Sequence, residues 1–437
     1  MIPAVIIATL TCVALIVVVL LKPQIQIAHH NINIYAEIPL IGAFAVLIIG
    51  VLKVGTVADS FISNSVSNPI KIIVLFISMS LMSVLLDETG FFEYVAVKIS
   101  QRAGDSQIKI FVAFYITISI LTVFTSNDVV ILTFTPFICQ FCKKVNVDPV
   151  PYVISEFVAA NTWSLLFLIG NPTNVFLSQA NGITFTAYFL RMWLPTLFCS
   201  ISSFVTLYLL FRKKLKKPVY RSVIDIKLQD KTTTFITLGF LLICTLLIAL
   251  SSYINLEMWY IALSMTILLY ITVIIIKSIR HQKKTILAHS LTRAPWQMLP
   301  LVLGMFVIVL SLVNTGVTQK VASFIGEGQP IIKYGILSTL FSNLTNNIPM
   351  SVLFSSIVGE ISNQAVLNRA VYATIIGSNI GAFLTPLGAL AGLMFTQIVK
   401  GYYKDFGFLK FIKYGTVVAL ISLVFGLIGL HLSFLLF

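Results

Sequence analysis

Two polar interruptions break an otherwise greasy sequence, and the pair occurs twice at nearly the same spacing. The first half carries Thr125-Ser126-Asn127-Asp128, then Asn161 and Gly170-Asn171-Pro172-Thr173-Asn174. The second half carries Thr345-Asn346-Asn347-Ile348-Pro349, then Asn379 and Thr385-Pro386-Leu387-Gly388. Inside a bilayer, backbone that leaves the helix is tolerated only where it is buried in protein or lines a cavity. Paired broken segments in the two halves of a membrane chain point to a solute site at the midplane. The pattern therefore predicts two structural repeats around a polar centre.

Composition supports a membrane setting. The chain is 58% hydrophobic and 10% charged, whereas soluble domains carry roughly 25% charged residues. Runs at 2–21, 235–250, 261–276 and 414–437 approach or exceed the ~20 apolar residues that cross a bilayer. The first run lacks a basic start and a small-residue cleavage site, so it reads as a retained helix rather than a signal peptide. The net charge of +14 does not point to nucleic acid. Its basic residues gather between spans, at 212–217, 277–284 and 400–413, as the positive-inside rule places them in cytoplasmic loops. The partners expected are the lipid bilayer and a small solute, with no nucleic acid.

These basic clusters set a topology. Lys98, Arg102 and Lys109 precede the Asp128 segment and Lys143-Lys144 follow it, so both ends of that segment face the cytoplasm and 108–141 reads as a re-entrant hairpin. The expected fold class is all-α and integral to the membrane. It has two inverted-topology repeats, about ten transmembrane helices, two re-entrant hairpins and two broken helices. The first repeat is 1–217, with its hairpin at 108–141 and broken helix at 150–180. A cytoplasmic linker occupies 218–231. The second repeat is 232–437, with its hairpin at 331–358 and broken helix at 365–400. Both termini are expected outside the cytoplasm. Internal echoes support the duplication: Leu86-Asp87-Glu88-Thr89-Gly90 resembles Leu312-Val313-Asn314-Thr315-Gly316, and Asn161 and Asn379 are each followed nine residues later by glycine. Short amphipathic helices are expected at 91–101 and 317–324.

The polar set is the candidate binding site: Ser126, Asn127, Asp128, Asn161, Asn171, Thr173 and Asn174 from one half, and Asn346, Asn347, Asn379, Thr385 and Gly388 from the other. Free N–H groups at a hairpin tip suit a polar or anionic guest. Carbonyls and amides at a break suit a cation or a hydroxyl-bearing solute. Gly170 and Gly388 are expected to let the backbone turn. Capping of helix ends is the plain alternative for any single Asn. Asp128 differs, because an unpaired carboxylate at the membrane centre costs ~2.5–3.5 kcal/mol; it is the candidate proton carrier. Glu156 could assist proton movement or simply sit near its helix end. Arg191 and Arg369 read as interfacial. Cys139 and Cys142 form a CxxC without a second pair or a nearby His, which favours buried apolar packing. No metal-ligand spacing occurs among the histidines, and no cofactor is expected beyond a coupling ion, H+ or Na+.

Several stretches resemble the ArsB arsenite permease family of the ion transporter superfamily, which also contains citrate, dicarboxylate and NhaD-type carriers. They are 85–93, Asn127-Asp128, Arg293-Ala294-Pro295-Trp296-Gln297, Leu303-Gly304-Met305, Asn346-Asn347-Ile348-Pro349 and Leu384-Thr385-Pro386-Leu387-Gly388. The resemblance implies proton-driven extrusion of arsenite or antimonite, in some members with a cytoplasmic arsenite-stimulated ATPase subunit as partner. It also implies a prokaryotic inner-membrane location. Two features depart from the family pattern: Asn161 and Asn379 stand where an acid is usual, and Phe383 where a Lys is common. Sodium-coupled members favour amides and hydroxyls there, so a sodium-coupled carrier of a carboxylate or other small anion, or a Na+/H+ antiporter-like member, is the alternative. An intramembrane aspartyl protease would need a second carboxylate beside Asp128, and none is evident in the sequence.

Overall fold

Runs of apolar residues bounded by proline, asparagine and glycine produce a helical protein whose element order is written twice. The computed structural model describes all residues except 22–23, 28–29, 64–67, 105, 218–227, 229 and 437. Most of the linker expected at 218–231 therefore lies outside the described residues. The first half contains Ile2–Leu21 (α1), Ile34–Ile48 (α2), Val54–Ile62 (α3), Pro69–Glu88 (α4) and Phe91–Ala103 (α5). It continues with Gln107–Phe124 (α6), Asn127–Lys144 (α7), Val150–Trp163 (α8), Pro172–Ala180 (α9) and Phe185–Leu215 (α10). The second half contains Lys231–Leu250 (α11), Met258–Ile279 (α12), Thr285–Thr292 (α13), Met298–Asn314 (α14) and Val317–Ile325 (α15). Pro330–Thr345 (α16), Asn347–Gly359 (α17), Gln364–Gly381 (α18), Leu390–Tyr402 (α19) and Phe408–Leu436 (α20) complete it. A single 3₁₀ turn separates α8 from α9, at Leu168–Gly170, and another separates α18 from α19, at Pro386–Gly388.

Each α-helix thus has a counterpart ten helices later, and packing follows the same rule. Helix α2 lies on α14 as α12 lies on α4; α6 packs on α8 as α16 packs on α18. Helix α7 meets α19 as α17 meets α9, and α10 crosses its own counterpart α20. One addition to the all-helical expectation is a short antiparallel ribbon, Gln24–Ile27 (β1) with His30–Asn33 (β2), pairing Ile25 with Ile32. Its Gln-Ile-Gln-Ile alternation has the period of a strand.

Local chemistry explains the boundaries. Proline opens α4, α9 and α16 at a position whose N–H needs no helical partner. Asn68, Thr184 and Asn363 cap α4, α10 and α18 with their side-chain oxygens. Gly90 and Gly316 have φ of 78° and 72°, a region that favours glycine, and each turns the chain into a short helix, α5 or α15. The second turn bends α15 by 78° from α14.

Six described helices are long and apolar enough to cross a bilayer alone: α4, α6, α10, α11, α12 and α20. The bent α14–α15 pair adds a seventh, while α1 and α2 are shorter apolar helices. The remaining expected spans are the two broken ones, α8–α9 and α18–α19. Helix α4 is 83% buried and central, whereas α12 is 28% buried and presents Ile267, Leu268, Ile271 and Ile275 outward, as lipid contact requires. The tightest crossings are made by small residues. A Cβ at Gly377 or Gly381 would lie 2.0 Å from the hydroxyl of Ser338 or Ser342, respectively, and one at Gly304 would lie 2.3 Å from the backbone of Pro39. Such approach is how helices associate where lipid offers no hydrophobic drive. Ion pairs close the bundle ends. Arg293 joins both Asp87 (2.6 Å) and Glu88, and Lys277 joins Asp230 (2.6 Å). The two acids thus meet an arginine from the other half.

Candidate functional site

The first break is held open by close backbone approach rather than by a glycine turn. Neither Gly170 nor Gly388 has a positive φ. A Cβ at Gly170 would lie 2.4 Å from the carbonyl oxygen of Ser164, and one at Gly388 would lie 2.1 Å from that of Gly381. The expectation that these glycines serve a turn is corrected: they let the 3₁₀ segment fold back onto the end of the preceding helix. Both halves use the same device.

Around these folded-back ends the amides converge. Asn127, first residue of α7, donates to Asn161 Oδ1 (3.0 Å), and Asn161 donates to the Phe157 carbonyl (2.8 Å). This ties the first hairpin tip to α8. Asn379 comes from α18 in the other half, yet its amide is inserted into the first break. Its Nδ2 donates to Asn174 Oδ1 (2.7 Å) and the Ile375 carbonyl (2.9 Å). Its Oδ1 accepts from Asn171 Nδ2 (2.8 Å) and Ser164 Oγ (2.9 Å). Two donors and two acceptors exhaust what an asparagine side chain offers. Asn174 in turn donates to the Ser164 carbonyl (2.8 Å), and Asn171 Oδ1 accepts from both N–H and hydroxyl of Thr173. Thr173 therefore points into the local cap.

The second break is organised differently. Asn343, which sequence reasoning did not single out, accepts from the N–H (3.1 Å) and hydroxyl (2.7 Å) of Thr385 and donates to the Gly381 carbonyl (3.0 Å). Asn346 donates to the Leu387 carbonyl (3.3 Å) and accepts from the Ile348 N–H at the second tip. Where the first break places Asn171, Thr173 and Asn174, the second has Ala389, Ala391 and Gly392 at the same distance from its glycine. The polar groups of the two halves are thus unequal. The available signal for Asn343 was the Ser342-Asn343 pair inside an apolar hairpin helix. Ser164, also unselected, follows Trp163 at the end of α8.

Several oxygens in this region are buried without a partner among the described residues: Ser126 Oγ, Asn127 Oδ1, Thr162 Oγ1, Asn347 Oδ1 and Ser378 Oγ. Ser126 occupies the cap position of α7, and its carbonyl accepts the Val130 N–H (3.1 Å), but its side chain accepts no N–H, so the first turn of that helix has no side-chain cap. Asp128 sits in that turn, half-buried, where the helix dipole favours a negative charge. Tyr35 of α2 lies within range of its charge, and no described cation pairs with it. Tyr35 also lines a small cavity with Asn343, Thr345 and Asn346, so it stands between the two tips. Glu156 is fully buried; its Oε1 accepts from Thr135 Oγ1 (3.0 Å) and its Oε2 has no described partner. Cys139 and Cys142 are fully buried. Arg191 donates to the Ser433 carbonyl, away from the amide cluster.

The sequence model of the CitMHS citrate transporter family matches residues 2–377. An uncharacterized transporter of Mycobacterium tuberculosis is 24% identical over 430 residues, covering 96% of this chain and 98% of that protein. The arsenical pump membrane protein of Escherichia coli is 25% identical over 386 residues, covering 83% of this chain and 87% of its own. Among solved structures, the YdaH transporter of Alcanivorax borkumensis superimposes with a TM-score of 0.58 at 12% identity, covering 98% of both chains. That likeness concerns the fold.

Proposed function

The chain belongs to the citrate transporter family, and from that premise we propose that this membrane transporter extrudes arsenite or antimonite by alternating access, driven by the proton gradient. The observation that carries the substrate reading is that the polar residues gathered at the first break are amides and hydroxyls with no basic side chain among them, and that Ser126 Oγ, Asn127 Oδ1, Thr162 Oγ1 and Ser378 Oγ stay unpartnered among the described residues while the Asn161, Asn174 and Asn379 amides hold the frame. Trivalent arsenic at neutral pH is an uncharged trihydroxide, which such groups can bind through donors and acceptors together. A multiply charged carboxylate would call for cations at the site. Asp128 is the proposed proton carrier, since a carboxylate without a described countercharge gains from protonation when the site closes.

Everted membrane vesicles separate the readings. Arsenite or antimonite is expected to accumulate under an imposed proton gradient in sodium-free buffer, with citrate not transported. Citrate accumulation that follows sodium, with no arsenite flux, would replace this proposal. A second reading has its own observation: Ser126 Oγ, Asn127 Oδ1 and Asn347 Oδ1 are unpartnered buried oxygens, the hard ligands that suit a sodium ion. Under that reading, sodium raises both transport rate and thermal stability of the wild type. If sodium changes neither, the coupling ion is the proton.

The repeats are proposed to be 1–217 and 232–437, inverted across the membrane. Both termini then lie outside the cytoplasm, with the basic ends of α10 and α12 inside. Single cysteines introduced as Lys214→Cys and Leu436→Cys are expected to label from opposite faces of intact cells. Labelling from one face would remove the inversion.

A further inference from the structure

We propose that the cavity between α16 and α20 is a binding site for an anionic phospholipid, separate from the amide cluster. It has a volume of about 930 Å3 and opens on the outer surface of the bundle. Its long walls are apolar: Ile332, Ile336 and Leu340 on α16 face Leu420, Val424 and Ile428 on α20, each 43–56% exposed. One end is polar and cationic, formed by Gln329, Arg369 and His431, and no acidic side chain lines the cavity. The N-terminus of α16 at Pro330 is at that same end and adds its positive dipole.

Arg369 is available to a ligand. Its guanidinium lies 5.6 Å from the centre of the Phe434 ring, and Arg191 lies 4.6 Å from the same ring, so aromatic contact holds it in place. No described residue accepts a hydrogen bond from it or forms an ion pair with it, and the same holds for His431. A cationic rim above an apolar slot is the arrangement that recognises an acidic headgroup with its acyl chain. Charge complementarity selects this occupant over a zwitterionic lipid, whose headgroup cation would meet the same positive rim, and over a second copy of the chain, whose matching face would set like charges together. The acyl end of the slot reaches Leu384. Leu384 precedes Thr385 at the second break, and its carbonyl accepts from Thr416 of α20 (2.9 Å). A bound chain therefore braces the second break from the lipid side.

The test uses the purified full-length protein in neutral detergent with three probes: dioleoyl phosphatidylglycerol, dioleoyl phosphatidylcholine and glycerol phosphate. Native mass spectrometry counts retained lipid, and thermal unfolding reads stabilisation. Phosphatidylglycerol is expected to be retained and to raise the unfolding temperature above that in phosphatidylcholine, with glycerol phosphate giving no shift. Arg369→Gln should weaken retention roughly fivefold, the worth of one cation at an anionic membrane surface, while Arg369→Lys preserves it. Leu340→Trp, which fills the slot and leaves the rim intact, should lower retention as well. Equal effects of the two lipids, or unchanged retention in Arg369→Gln, would overturn the proposal. A full shift with glycerol phosphate would indicate a free-anion site instead. Cross-linking of Leu340→Cys between protomers in membranes would show that a second copy covers the slot.

Discussion

Asp128→Asn is expected to reduce gradient-driven transport to the level of empty vesicles while leaving the protein folded and inserted. The carboxylate stands in the first turn of α7, half-buried, without a described cation. An ionised group so placed costs ~2.5–3.5 kcal/mol, so neutralising it removes a penalty and thermal stability should hold or rise. What disappears is the ability to take up and release a proton. Solute exchange at equal concentrations on both sides, which needs no net proton movement, should persist in the variant. Asp128→Glu keeps the titrating group with one more methylene and should be impaired less. Full net transport in Asp128→Asn would show that this carboxylate neither carries the proton nor binds an essential ion.

The second large effect is expected at Asn379. Its side chain makes four hydrogen bonds, three of them to Ser164, Asn171 and Asn174 of the other half. Asn379→Ala leaves three buried polar groups without that partner, and each orphaned group costs about 1–3 kcal/mol. A drop of several degrees in unfolding temperature and loss of transport should follow together. Asn379→Asp is nearly isosteric and should still be damaging, because two donors become acceptors facing Asn174 Oδ1 and the Ile375 carbonyl. Wild-type transport in Asn379→Asp would show that the cluster reorganises freely and does not hold the two halves. Asn127→Ala, which breaks the single bond to Asn161, should cost less.

Asn161 and Asn379 were recognisable as equivalents before any coordinates, because an amide in an apolar run with glycine nine residues on is a local pattern. The doubled order of elements was legible for the same reason: spans, breaks and short amphipathic helices each leave a mark within about twenty residues. Asn343 left only the Ser342-Asn343 pair in an apolar helix, a mark without an echo in the matching helix of the first half. Its importance comes from where the end of α16 meets Thr385, forty-two residues away. Ser164 was equally silent until Asn379 was seen to accept its hydroxyl.

Sequence alone determined that this chain spans a membrane, that its helices break at matched places and that the breaks are polar. Those properties follow from what hydrocarbon excludes, residue by residue. Only the tertiary structure decided that Asn379 completes the break of the opposite half, and that Gly170 and Gly388 serve close approach. Partners more than two hundred residues apart are set by how helices cross. In this protein contacts such as Gly304 on Pro39 and Gly426 on Cys199 bring helices of the two halves together, through shape rather than polarity.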